Sequence, residues 1–445
     1  MIDQLKALGI QVPDILIPKP GTDLEAWAVV ACDQFTQDQV FWANVEKRVG
    51  SLPSTLRLIL PEIFLERNDR AEQVQKIQKT MTRYRDNGYF APALHSILYI
   101  ERSTPHQPCR RGLMLCIDLE RYEWQRESRP LIRASEGTVQ ERIPPRMEIR
   151  RGAALEVPHI LLLIDDDERS LIEVLGQLCS SRKSLYSTSL GDGAGSVQGW
   201  ALNEMQDMAL LTSGFKRLAD KAATRYGLDE SQKQTDPFLF AVGDGNHSLA
   251  TAKAVWDEYK AAHKDDKGLM DHPARWALVE VENLYDPAIE FEPIHRVLFN
   301  SSLDEVQAAL QSLPGFKARS VSSPSELEKL VQENPVQGTR YGLVSGSKAV
   351  LIETNAQGVS TEAIQPLLDS FVQSKPTRNI DYLHGAEESI RVASTPNTVG
   401  ILLPPIGKSD LFSTVARFGP LPRKSFSMGE AIEKRFYLEC RSLFR

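Results

Sequence analysis

The sequence predicts a mixed α/β protein, an α+β arrangement with more than one compact unit, on three observations. Short bulky apolar runs bounded by polar turns recur along the chain. They alternate with stretches of helical periodicity, and near residue 300 the texture changes to a smaller α+β pattern. The chain therefore divides into a main α/β domain over 1–300, a small α+β module over 301–360, and a segment over 361–445 that returns to the main domain.

Bulk composition narrows the function classes. The chain has 445 residues, 42% hydrophobic and 25% charged, enough for a sizeable core. A net charge of minus 7 gives no overall attraction to nucleic acid or anionic lipid, and no apolar run approaches the length of a membrane span. The start of the chain lacks the basic flank and apolar stretch of a secretion signal. Five scattered cysteines without a Cys-x-x-Cys pair support neither a disulfide framework nor a thiolate zinc site, so a cytoplasmic protein is expected.

Taken in order, a proline-rich arm over 10–20 leads to an expected strand over 26–31, ending at Cys32-Asp33-Gln34. Phe35 to Val49 reads as a helix, with Phe41, Trp42, Val45 and Val49 on one face. Asp33 is thus a carboxylate at a strand end. A charged amphipathic helix is expected over 69–87, then two strands, 96–102 and 111–119, around a polar loop.

Between 130 and 152 lie Arg133, Arg142, Arg146, Arg150 and Arg151, beside Glu136 and Thr138. Guanidinium forks grip phosphates and carboxylates in bidentate geometry, so this stretch is a candidate anion site; the alternative is surface ion pairing with Glu141 and Glu148. After the expected strand 159–164, Asp165-Asp-Asp reads as helix-start chemistry rather than a metal site. The glycine-rich loop 190–199 precedes an expected helix over 201–226 and lacks the Gly-Lys-Ser/Thr ending of a phosphate loop. Gly407-Lys-Ser also fails, because Leu402 stands where that motif needs glycine.

The central stretch is Phe238-Leu-Phe-Ala-Val-Gly-Asp-Gly-Asn-His-Ser. Its apolar run reads as a buried strand, Gly243-Asp244-Gly245 as a turn, and Leu249, Ala252, Val255 and Trp256 as the apolar face of a following helix. Asn246, His247 and Ser248 then stand at a helix N-terminus, where Asp244 or Asn246 could cap and the free N–H groups could hold an anion.

Later, Arg275 to Leu284 reads as a strand. His295 and Arg296 form a polar pair between apolar residues, a candidate neighbour of the central turn, with a structural histidine as the alternative. The module follows as a helix over 304–313, a strand over 316–321, a helix over 324–332 and a hairpin over 341–353. Lys424 and Ser425, in a loop near the C-terminus, are further anion-site candidates.

Five stretches in order, Trp27-Ala-Val-Val-Ala-Cys-Asp, Arg133-Ala-Ser-Glu-Gly-Thr-Val-Gln-Glu-Arg, Asp244-Gly-Asn-His-Ser, Pro293-Ile-His-Arg and Pro422-Arg-Lys-Ser, resemble the domain-of-unknown-function 1015 family over nearly the whole chain. The family's usual Asp-Gly-His-His-Arg motif resembles that of ParB-like proteins, a superfamily with nucleotide-binding partition proteins and a free serine kinase. The resemblance implies a ParB-like core and phosphate or nucleotide handling. Here Asn246 replaces the first histidine and Ser248 the arginine, so the carry-over rests on Asp244, Gly245 and His247.

Two functions follow as expectations. The first is a phosphotransferase acting on a small hydroxyl-bearing metabolite, with Asp244 or Asp33 as base or metal ligand and His247 as phosphate donor or acid–base group. The alternative is a regulatory protein that binds a nucleotide or phosphometabolite without turnover. Gly243, Gly245, Asn246, Ser248, Arg133, Glu136, Thr138, Arg142, Arg146, His295, Arg296, Lys424 and Ser425 would bind the ligand. Mg²⁺ with a nucleotide is the expected cofactor. The acidic balance and the lack of a basic helix disfavour a nucleic-acid partner.

Overall fold

Runs that are apolar on every residue become central strands, because such strands need both faces covered. The structure, a computed structural model, describes residues 1–228, 235–333, 335 and 337–444. It has the expected mixed α/β class and divides into two compact units, Met1–Ile289 with Glu430–Arg445, and Glu290–Gly429. The second unit is wider than the 301–360 module: it begins at the strand carrying His295 and takes in most of the segment after 360.

In the first unit the elements are β1 (Val29–Val30), α1 (Gln39–Val49), α2 (Arg70–Asp86), β2 (Ile97–Ser103), β3 (Arg110–Asp118), β4 (Ile132–Ala134), α3 (Ile143–Arg150), β5 (Leu161–Ile164), α4 (Ile172–Cys179), β6 (Tyr186–Ser189), β7 (Ser196–Leu202), α5 (Met205–Tyr226), β8 (Phe240–Asp244), α6 (Asn246–Ala262) and β9 (Trp276–Asn283). The main sheet runs β6-β7-β2-β3-β9-β5-β8-β4, with Tyr122–Glu123 beyond β4 and Ile10–Gln11 added on β3. All eight residues of β9 are buried.

Three expectations are corrected. The strand read over 26–31 is a helical turn, Leu24–Trp27, because Asp23 accepts the N–H groups of Glu25 and Ala26 and caps it; only Val29–Val30 is strand. The helix read from 201 starts at Met205. Ser196–Leu202 instead pairs along its length with β2, so the glycine-rich loop is the turn between β6 and β7. The Asp165-Asp-Asp triad does not start a helix: α4 begins at Ile172 with no side-chain cap, Asp166 accepts the N–H groups of Ser170 and Leu171 in the turn before it, and Asp165 and Asp167 pair with Arg225.

Strand direction places the site. β4 runs parallel to β8, with Ala134 opposite Val242, while β5 runs antiparallel, with Leu161 opposite Asp244. The ends of β4 and β8 and the start of β5 therefore reach one edge of the sheet. The closing strand Phe436–Tyr437 pairs with β1, bringing residues 430–437 to the segment that leads to Asp33.

In the second unit the elements are β10 (Phe291–Phe299), α7 (Leu303–Ala309), β11 (Lys317–Val321), α8 (Pro324–Gln332), β12 (Thr339–Ser345), β13 (Lys348–Thr354), α9 (Ser360–Gln373), β14 (Asn379–His384), α10 (Ala386–Ala393), β15 (Thr398–Leu402), α11 (Lys408–Phe418) and β16 (Phe426–Met428). The sheet order is β11-β13-β12-β15-β10-β14, with β16 on β10. Alternation along β13 decides the layers. Val350 and Ile352 join one core with Val306 of α7 and Leu368 of α9, whereas Ala349 and Leu351 join another with Leu327 of α8 and Ala393 of α10. Among the described residues no helix is long and apolar enough to cross a membrane.

Candidate functional site

Gly245 makes the turn from β8 to α6. Its φ of +83° is costly for a residue with a side chain, and a Cβ there would meet Ile160 Cα at 3.1 Å. The helix begins at Asn246 with Gly245 as N-cap and no side-chain cap. Asp244 does not cap it; Oδ1 accepts the N–H of Gly245 instead, at 2.9 Å. The N-terminus of α6 thus carries the partial positive charge that suits an anion.

Asp244 Oδ2 faces Lys434 Nζ at 3.2 Å, and the lysine side chain is 9% exposed. Burial alone would push this carboxyl up, but the Lys434 ammonium, its hydrogen bond and the nearby His159 hold it below the usual carboxylate range. Lys434 is itself held by its backbone. Arg102, buried, donates to the carbonyls of Ile432, Glu433 and Lys434, and Arg110 to that of Glu433. Next in the chain, Arg435 pairs with the buried Glu280 at 2.7 Å.

A second cluster joins this one through His159. Its Nδ1 meets the Tyr437 hydroxyl at 2.8 Å, its Nε2 meets Ser248 Oγ at 2.8 Å, and Asp33 Oδ2 lies 3.7 Å from Nε2. The Tyr437 hydroxyl accepts the N–H of Cys32 and shares a further hydrogen bond with Nδ1, whose direction follows the tautomer of the ring. Burial holds the Tyr437 phenol well above its ordinary range, so it stays protonated.

The structure brings together Asp33, Gly243, Asp244, Gly245, Asn246, His247 and Ser248. His247 Nε2 accepts the N–H of Val139 at 3.2 Å, which ties it to the loop after β4. In that loop Glu136 and Thr138 are half-buried; Thr138 Oγ1, Ser135 Oγ and Asn246 Oδ1 are buried without a hydrogen-bond partner.

The arginines fare differently. Arg133 donates to the carbonyls of Pro130 and Asp236 and lies over the Phe238 ring, so it holds loop backbone. Arg142 is exposed, and its carbonyl accepts from Arg146, which is paired with Glu62. Arg150 and Arg151 pair with Glu156 and Glu258, not with the Glu141 and Glu148 of the ion-pairing alternative.

His295, Arg296, Lys424 and Ser425 belong to the second unit. His295 Nδ1 accepts the N–H of Leu403 at 3.1 Å, and burial, with Arg296 and His384 nearby, lowers its pKa to about 4. Arg296, fully buried, donates to Gln365 and to the carbonyl of Ile294. Ser425 is buried between Thr361 and the carbonyl of Pro422, and Lys424 precedes it at φ +60°.

Sequence reasoning missed Lys434, His159 and Tyr437. The signal for Lys434 lay in the closing segment, where a lysine, an arginine and Phe436-Tyr437 follow one another, but only strand pairing with β1 shows where they go. Among the described residues there is no group of three or more His, Cys, Asp or Glu that could hold a metal ion by itself.

Fold and site define a mixed α/β protein with an ammonium–carboxylate pair and an Asp–His–Ser–Tyr cluster at a strand-to-helix turn. The chain belongs to the family described as protein of unknown function (DUF1015), whose profile matches residues 16–371. No curated protein matches this chain. Among solved structures it is similar to a mutant free serine kinase in complex with AMP, at 11% identity over 74% of this chain and 92% of that chain, with a TM-score of 0.39. It is also similar to a conserved hypothetical protein from Pyrococcus furiosus, at 12% identity over 73% and 90%, TM-score 0.34. A third is SbnI from Staphylococcus aureus with a C-terminal truncation, at 8% identity over 71% and 82%, TM-score 0.35.

Proposed function

We propose that this protein is a phosphate- and nucleotide-handling enzyme, a phosphotransferase acting on a small hydroxyl-bearing metabolite. The observation that carries the reading is Lys434, an ammonium 3.2 Å from Asp244 beside the uncapped N-terminus of α6. It supplies the cation that Ser248 cannot. Phosphoryl transfer depends chiefly on positioning and charge neutralisation, and a helix N-terminus with a buried lysine provides both.

In this reading the donor phosphates lie against the N–H groups of Asn246, His247 and Ser248 and against Lys434, which Asp244 orients. Asp33, joined to Ser248 through His159, takes the proton of the acceptor hydroxyl. The hydroxyl oxygen bonds to the terminal phosphorus, the phosphoanhydride bond of the nucleotide breaks, and Lys434 neutralises the departing diphosphate. Mg²⁺ would enter with the nucleotide on its phosphate oxygens and would add charge neutralisation. A cytoplasmic setting belongs to the same reading, and the five free cysteines support it.

The test is transfer of labelled terminal phosphate from ATP to a panel of small alcohols. Transfer that Asp33→Asn and Lys434→Met each abolish supports the enzyme. Binding of ATP without product favours the regulatory alternative, for which Ser248 in place of arginine is the motivating observation, and absence of both sinks the two readings together.

A further inference from the structure

We propose that the ligand accepted beside His159 and Ser248 is a neutral alcohol carrying a compact apolar group, seated in a preformed cavity of the first unit. Naming it the phosphoryl acceptor rests on the function proposed above; the binding claim does not.

The cavity has a volume of ≈130 Å³. Leu58, Leu60, Ile149, Leu155, Ile160 and Leu278 form its apolar walls, while Cys32, His159, Ser248 and Tyr437 supply the polar groups. A pocket partly open to the surface, walled by aliphatic side chains and carrying a few polar groups, has the make-up of a small-molecule site. The size is close to that of an apolar cavity of about 150 Å³ known to admit benzene, which sets the apolar group at roughly six carbons.

Charge argues for a neutral ligand. The charged side chains lining the cavity are already matched: Arg146 with Glu62, and Arg150 with Glu156, which also accepts from Arg441 and from the N–H of Leu278. Burial, aided by the neighbouring Asp33, pushes the Cys32 thiol up to about 12, so it is uncharged. The remaining hydrogen-bonding capacity is neutral. Ser248 Oγ and His159 Nε2 share one hydrogen bond at 2.8 Å, and the serine hydroxyl keeps further hydrogen-bonding capacity that an alcohol, itself both donor and acceptor, can meet. Ser248 also stands in the first turn of α6, so an alcohol oxygen bound to it lies at the same helix end as Asp244 and Lys434.

Calorimetry on the full chain without nucleotide tests this, with benzyl alcohol and toluene as probes. Both should bind, and benzyl alcohol should bind about two- to tenfold tighter, the worth of one hydrogen bond. Ser248→Ala should remove that advantage while toluene binding persists. Leu60→Phe, which fills the space, should weaken both by about tenfold or more. No binding of either probe, or an alcohol advantage that survives Ser248→Ala, would overturn the proposal even if Leu60→Phe fails to fold. A separate assay of phosphate transfer from ATP to bound benzyl alcohol tests the transferase reading: binding without transfer contradicts that reading and supports the pocket.

Discussion

Asp244 and Lys434 meet at 3.2 Å although one belongs to the central strand-to-helix turn and the other to the returning C-terminal segment. The contact joins the anion-attracting end of α6 to a cation, and it lowers the Asp244 pKa below the usual carboxylate range once the opposing effect of burial is overcome. A carboxyl lowered on folding stabilises the protein above its unfolded pKa, near 4, and that stability is lost as pH falls through the folded value. Asp244→Asn should therefore cost about 1–2 kcal/mol at neutral pH, less than for a fully buried pair because a quarter of the aspartate side chain is open to water. The deficit, measured by chemical denaturation, should shrink as pH falls below about 4.

Gly245 tests the turn without touching charge. A Cβ there adds the strain of a left-handed backbone to a 3.1 Å approach to Ile160. Gly245→Ala should lower stability by about 1–3 kcal/mol and weaken nucleotide binding, because the N-terminus of α6 must shift. Thermal melting and ligand titration check both effects.

Arg102 positions Lys434 through three carbonyls, those of Ile432, Glu433 and Lys434. Arg102→Gln leaves buried acceptors unpaired, at a cost of about 2–3 kcal/mol. Hydrogen exchange should accelerate over 432–437, with nucleotide affinity falling alongside.

His295 tests the assignment of the second unit. Its pKa, lowered to about 4 by burial and by Arg296 and His384, makes it a neutral structural group. A histidine lowered on folding gives stability that is full above its unfolded pKa, near 6.5, and lost as pH falls toward 4. The loss should approach roughly 3 kcal/mol, and His295→Gln should flatten that pH dependence of unfolding without changing ligand binding.

These residues also show what was legible beforehand. The turn Gly243 to Ser248 could be read because a buried strand, a glycine pair and a helical apolar face are local signals. The module's hairpin was equally local: Ser345-Gly-Ser between alternating runs became β12 and β13. What escaped depended on long-range pairing. Lys434 and Tyr437 reach the site because Phe436–Tyr437 pairs with Val29–Val30, and His159 because β5 runs antiparallel to β8. The arginines of 133–151 misled for a chemical reason. A guanidinium satisfied by carbonyls, an aromatic face or a glutamate has the same sequence signature as one waiting for phosphate, and Arg133, Arg146, Arg150 and Arg151 are each satisfied in one of those ways. His295 and Arg296 stand on β10, whose place in the second sheet is set by β14 and β15, strands far along the chain.

The most direct measurement is titration of a non-hydrolysable ATP analogue into wild type and Lys434→Met, paired with a structure of the wild-type complex. A lost charge-assisted contact should weaken binding by about 2–3 kcal/mol, roughly a hundredfold. Phosphate oxygens should lie within hydrogen-bonding distance of Lys434 Nζ and the N–H groups of Asn246 and His247. Equal affinity in the two proteins, or phosphates bound away from Gly243 to Ser248, would contradict the assignment.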